Sequence, residues 1–145
     1  MRDLHSSMLF ASLIGNATLA ADNTPTALDL RGYDSAEIIL AIGAGGITFS
    51  GTNKIEFKLT HSDDNVTYTD VTDADMLGVT SIVTGIIKSL TAAHATAAVY
   101  RYGYKGGKRY LKLLADFSGT HGTGTPIAAM AALSHGHDNP QANQA

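Results

Sequence analysis

Four groups of residues in this chain carry side chains that chemistry uses. Near the end, His135, His137 and Asp138 set two imidazoles and a carboxylate close together, and alternating histidines on a strand would point to one metal. Third and fourth ligands are not evident. His121 lies apart in a Gly/Thr loop, so the segment reads as a polar tail. Asp63, Asp64, Asp70, Asp73 and Asp75 suggest calcium, which takes several oxygens from one loop. The Asp-x-Asp-x-Asp-Gly order is missing, Gly78 comes too late and no Glu closes the loop, so these acids read as turn residues and a solvated rim. Ser118-Gly119-Thr120-His121 places a hydroxyl near an imidazole without the Gly-x-Ser-x-Gly elbow of a hydrolase. No catalytic, metal or cofactor residue is assigned, and no enzyme is expected.

The fourth group is YRYGYKGGKRYLKLLADF, residues 100–117, which holds five of the ten Lys/Arg residues of the chain. Gly106-Gly107 predicts a two-residue hairpin turn, because glycine accepts the positive φ such turns need. Tyr104 would then face Arg109, Tyr102 would face Leu111, and Tyr100 would face Leu113, so the tyrosine and leucine stripes share a core face. Arg101, Lys105, Lys108, Tyr110 and Lys112 would gather on the other side. Single-stranded nucleic acid needs exposed aromatics among the cations as stacking platforms, and only Tyr110 stands there. The stripe reads as the charged outer face of a twisted hairpin or as an anion- or protein-docking face, with the acidic turn at Asp63 and Asp64 together with Asp70 to Asp75 as a candidate complement within the domain or on a second copy.

Composition narrows the classes further. The 145 residues are 44% hydrophobic and 16% charged, with net charge −3, and such a weakly charged surface suits contact with other proteins. The acidic balance argues against direct nucleic-acid binding as the main role. Without cysteine, disulfides, thiol catalysis and thiolate-bound zinc are all excluded. The opening residues carry Arg2 and an apolar run, but Asp3 offsets the charge and Ser12 breaks the run, so no signal peptide is expected. No stretch has the apolar length of a membrane helix, and no membrane partner is expected.

The elements that must position these residues are mostly strands. In residues 54–61, KIEFKLTH, the side chains Ile55, Phe57, Leu59 and His61 alternate with polar ones, which predicts a half-buried strand. Ser-Asp-Asp-Asn at 62–65 is a turn signal, and residues 66–71 return as a second strand. Upstream, residues 35–42 (SAEIILAI) predict a buried strand ended by Gly-Ala-Gly-Gly at 43–46. That break lacks the spacing of a phosphate loop and reads as a strand connection. Thr72 caps one helical turn in residues 70–78. Further strands are expected within 80–90, 95–104 and 126–133, with Ala-rich 89–98 as the one segment that competes for helix. Short strands at this spacing predict an all-β fold, a jelly-roll-like antiparallel β-sandwich with an extended N-terminal arm and at most one or two short helices. Residues 1–30 are expected as the arm or an edge segment, 31–134 as the sandwich and 135–145 as a polar C-terminal tail.

In order, a strand ending in Gly-rich sequence, KLTHSDDNVTYTDV at 58–71, YRYGYKGGKRYLKL at 100–113 and GTGTPIAAMAAL at 122–133 resemble the jelly-roll capsid decoration, or cement, proteins of tailed bacteriophages. The resemblance covers about residues 30–135. It implies a non-enzymatic virion protein on the outer surface of the major capsid shell, a homo-oligomer (dimer or trimer) whose partner is the major capsid protein. It brings no ligand, cofactor or catalytic residue. The alternative is a phage tail, connector or host-attachment module that binds carbohydrate through Tyr68, Tyr102 or Tyr110.

Overall fold

The computed structural model describes residues 3–144. Ten strands follow one another: β1 (Met8–Leu19), β2 (Leu28–Asp29), β3 (Tyr33–Ile42), β4 (Lys54–Ser62), β5 (Thr69–Asp70), β6 (Met76–Leu77), β7 (Ile86–Leu90), β8 (Ala98–Tyr104), β9 (Tyr110–Ser118) and β10 (Thr125–Gly136). Helical structure among the described residues is limited to two 3-10 turns, His5–Ser7 and Asp73–Asp75. The second turn is capped as expected, with the Asp75 carboxylate accepting from the Thr72 amide at 2.8 Å and its hydroxyl at 2.7 Å.

The strands form two antiparallel sheets. The first runs β1-β10-β3-β8-β6, and the second runs β2-β9-β4-β5 with β7 also on β4. Taken along the chain, β1, β3, β8 and β10 belong to the first sheet, while β2, β4, β7 and β9 belong to the second. Nearly every connection between these eight strands crosses from one sheet to the other, which is the jelly-roll arrangement.

The core lies between the inner faces. From the first sheet come Ile38, Leu40, Ile42, Ile127, Ala131 and Leu133, and from the second Ile55, Phe57, Leu59, Leu111, Leu113 and Ala115, all buried. Ile55, Phe57, Leu59 and His61 of β4 and Leu111, Leu113 and Ala115 of β9 are buried at every second position, because a strand turns alternate side chains to opposite faces. Residues 3–30 supply β1, the edge strand beside β10, and the short β2 beside β9. Register shifts between Ser12 and Ile14 and between Ile14 and Ala17 mark bulges in β1. They let consecutive Leu13 and Ile14 both enter the core.

The tail residues 135–144 lie back on the domain. Gln144 donates to the Phe10 carbonyl at 2.7 Å and accepts from its amide at 2.9 Å, filling a free backbone position on the outer edge of β1. Tyr33 donates its hydroxyl to Gln141 at 2.6 Å. The Gly-rich loop at 43–46 is held by close backbone approach. A Cβ on Gly46 would stand 1.9 Å from the Gly124 carbonyl oxygen, so this position admits only glycine.

Candidate functional site

The predicted hairpin across Gly106-Gly107 does not form. β8 pairs with β3 and β6 in the first sheet, whereas β9 pairs with β4 and β2 in the second, so residues 105–109 are a corner that carries the chain from sheet to sheet. Tyr102, Tyr104, Leu111 and Leu113 are buried as the face assignment requires. They meet across the core between sheets instead of side by side within one. Both arrangements bury the same stripes, which is why the hydrophobic pattern fits each of them.

Hydrogen bonds hold the corner. The Lys105 amide donates to the Asp75 carbonyl at 2.7 Å, and the Leu30 amide donates to the Arg109 carbonyl at 2.8 Å. The Lys108 amide donates to the Tyr104 hydroxyl at 3.0 Å, and that hydroxyl stands 3.0 Å from His61 Nδ1. A Cβ on Gly106 would come within 2.8 Å of both the Tyr104 ring and the Asp75 carboxylate. Gly107 has φ 70°, so the pair is used for close approach and a left-handed residue, not for a two-residue turn.

The crossover divides the predicted docking stripe. Arg101 lies on the outer face of the first sheet, 3.6 Å from Glu37. Tyr110 and Lys112 lie on the outer face of the second sheet, with Arg109 over the Tyr110 ring at 4.8 Å and Lys112 over the Tyr68 ring at 4.1 Å. Tyr110 and Lys112 therefore cannot form one stripe with Arg101. Tyr102, one of the expected sugar platforms, is buried, and Tyr68 and Tyr110 each carry a cation on the ring.

Lys105, Lys108 and Asp63 do come together. They line a cleft of about 580 Å³ at the crossover end of the sandwich, with Arg31, Tyr33 and Tyr104. Its walls also hold Asp34 and Arg109, but both are engaged: Arg109 makes a bidentate pair with Asp29 at 2.8 and 2.7 Å, and Asp34 lies 2.8 Å from His137 Nε2. Lys108 donates to the Thr69 hydroxyl at 3.0 Å. Among the described residues Arg31 and Lys105 make no ion pair within 4 Å, so both positive charges in the cleft lining are open to a partner. Sequence reading missed Arg31 and Tyr33, since nothing local ties residues 30–33 to residues 105–109.

Asp64 is not at this cleft surface as a free acid. Its carboxylate accepts from the Val66 amide at 2.9 Å, the Thr67 amide at 2.8 Å and the Ser62 hydroxyl at 2.8 Å, and those bonds lower its pKa to about 2. Asp29 is lowered by its bonds to Arg109. At Asp75 burial opposes ionisation, but the Thr72 hydrogen bonds outweigh it and the pKa falls, helped by His61 and Lys108. The acidic complement of Lys108 thus includes Asp75 of the same molecule.

The other chemistry-bearing groups are separate. His121 is buried between Phe117 and Phe49, with ring centroids 4.7 and 6.1 Å away, and its Nε2 donates to the Ser118 main-chain carbonyl at 2.8 Å, not to a hydroxyl. His135 Nδ1 meets the Ser35 hydroxyl at 2.9 Å. Among the described residues no group of three or more His, Asp or Glu side chains is placed to hold a metal ion, and no helix is long and apolar enough to cross a membrane. Compared with known protein families, curated proteins and solved structures, the chain matches none.

Proposed function

We propose that this chain is a non-enzymatic virion structural protein that docks on the outer surface of a major capsid shell and stabilises it. The observation that carries this reading is the crossover end, where Lys105, Lys108 and Arg31 surround an open cleft on a corner fixed by backbone hydrogen bonds. Cations on a rigid corner engage an acidic protein surface with less loss of freedom than cations on a mobile loop. The low overall charge and the resemblance of the strand sequences to decoration proteins agree with docking. A modest contact repeated over a shell lattice gains strength through multivalency.

The test is co-sedimentation with empty shells assembled from the major capsid protein of the same genome. The wild-type chain is expected to pellet with the shells, and the double variant Lys105→Glu, Lys108→Glu is expected to stay in solution while remaining folded. Absence of wild-type binding sinks the reading. Binding of sugars, with no affinity for shells, would move the chain to the host-attachment class.

A further inference from the structure

The two outer faces of the sandwich differ in kind. On the second sheet the outward side chains of β4 and β9 include Lys54, Glu56, Lys58, Lys112 and Asp116, with Lys54–Glu56 paired at 2.8 Å and Lys58–Asp116 at 2.5 Å. That face is solvated and internally neutralised. On the first sheet the outward face is apolar: Phe10, Leu77, Val99 and Met130 project from it with 47, 56, 70 and 38% of their surfaces exposed. Between them lie the small residues Ala41, Ala128, Ala132 and Gly103. A shallow depression of about 300 Å³ runs along one end, beside Val99, Ala128 and Pro126.

We infer that this apolar face is the interface of a two-fold dimer of this chain. Three observations select a second copy as the occupant. First, the charged pair on the face is self-complementary. Arg101 is 82% exposed and holds Glu37 only at 3.6 Å, so a two-fold lets Arg101 of each copy reach Glu37 of the other. Second, large side chains stand beside small ones on this face, a relief that lets two facing sheets interdigitate at the usual packing distance of about 10 Å. Third, the area reaches what a weak dimer needs. Four to five strands about 4.8 Å apart and roughly 25 Å long give some 500–600 Å² per copy, or about 1,000–1,200 Å² in all, just above the ~1,000 Å² minimum of a biological interface and in the range of weak, concentration-dependent association. Assembly through the edge of β1 is disfavoured, since Gln144 occupies Phe10 and two bulges interrupt the remainder.

The experiment is sedimentation equilibrium of the full chain from low to high micromolar concentration, with circular dichroism to confirm folding of each variant. The wild type is expected at twice the chain mass at the upper end. Met130→Asp is expected to raise the dimer Kd at least about tenfold, as removal of a central apolar contact does. Arg101→Glu is expected to weaken the dimer as well, and the exchange Glu37→Arg with Arg101→Glu to restore it. That rescue needs no apolar-to-charged change and keeps the test sharp if Met130→Asp fails to fold. A wild-type monomer at every concentration overturns the inference, as does a dimer indifferent to Met130→Asp and to both charge variants. Shell binding is scored separately, so a dimer that ignores shells overturns only the function proposed above, and a monomer that binds shells through this face overturns only the dimer.

Discussion

The Tyr104 hydroxyl lies 3.0 Å from His61 Nδ1 and receives the Lys108 amide at 3.0 Å. The hydroxyl accepts from Lys108 through a lone pair and keeps its own proton for an unprotonated Nδ1, so a neutral His61 with its proton on Nε2 suits this geometry. One phenol thereby joins β4, the end of β8 and the corner that carries Lys105 and Lys108.

The burial of His61 predicts a pH dependence. Burial, aided by Lys108, lowers the His61 pKa below 6.5, although Asp75 and Asp63 pull it up. A histidine whose folded pKa is lowered contributes stability that is complete above the unfolded value and is lost as pH falls from about 6.5 through the folded value. Unfolding free energy measured in urea is expected to fall over that window, and His61→Phe is expected to flatten it. The lowered carboxylates Asp29, Asp64 and Asp75 act in a separate window, with stability lost only as pH falls below 3.8. A wild-type curve that stays flat from pH 6.5 down to the carboxylate window would contradict the assignment.

Tyr104→Phe keeps the buried ring and removes the hydroxyl. It leaves His61 Nδ1 and the Lys108 amide without their partner, and a loss of about 1–3 kcal/mol is expected from denaturant unfolding. The same variant is expected to weaken shell binding, because the corner holding Lys105 and Lys108 loses a tether. Unchanged stability would show that water replaces the phenol at no cost.

The two halves of the basic segment are expected to respond oppositely. Leu113 is fully buried, so Leu113→Ala should cost about 2–5 kcal/mol and Leu113→Asp should abolish folding. Replacing Lys105, Lys108 and Lys112 together with Glu is expected to leave circular dichroism and urea midpoint near wild type while docking is lost. Unfolding of that triple variant would place the lysines in structural roles.

Gly46→Ala tests the contact between the loop at 43–46 and the turn before β10. The added methyl would overlap the Gly124 carbonyl at 1.9 Å, and neither backbone can withdraw without disturbing β3 or β10. Destabilisation of at least about 2 kcal/mol is expected in denaturant unfolding. A neutral effect would mean that the two loops do not touch.

The parts of this fold legible in the sequence are those where strand period and burial coincide. Ile55, Phe57, Leu59 and His61 alternate cleanly and sit inside β4, and Thr72 caps its short turn. β1 was obscured because its bulges break the alternation at Leu13 and Ile14. The hairpin expected at Gly106-Gly107 failed for a different reason: a sheet-to-sheet corner and a hairpin bury identical side chains, and only pairing distinguishes them. The cleft was half legible. Lys105, Lys108 and Asp63 were singled out, but Arg31 and Tyr33 reach it from a distant segment, and Arg101 and Lys112 were sent to opposite faces by the crossover.

Docking by the crossover end, as proposed above, would reinforce a capsid shell against disassembly. The most direct measurement is the temperature at which empty shells of the major capsid protein come apart, with and without saturating chain, followed by light scattering. The account predicts a rise of several degrees with the wild type and none with Lys105→Glu, Lys108→Glu. An unchanged temperature with the wild type at saturation, or an equal rise with the double variant, would contradict it.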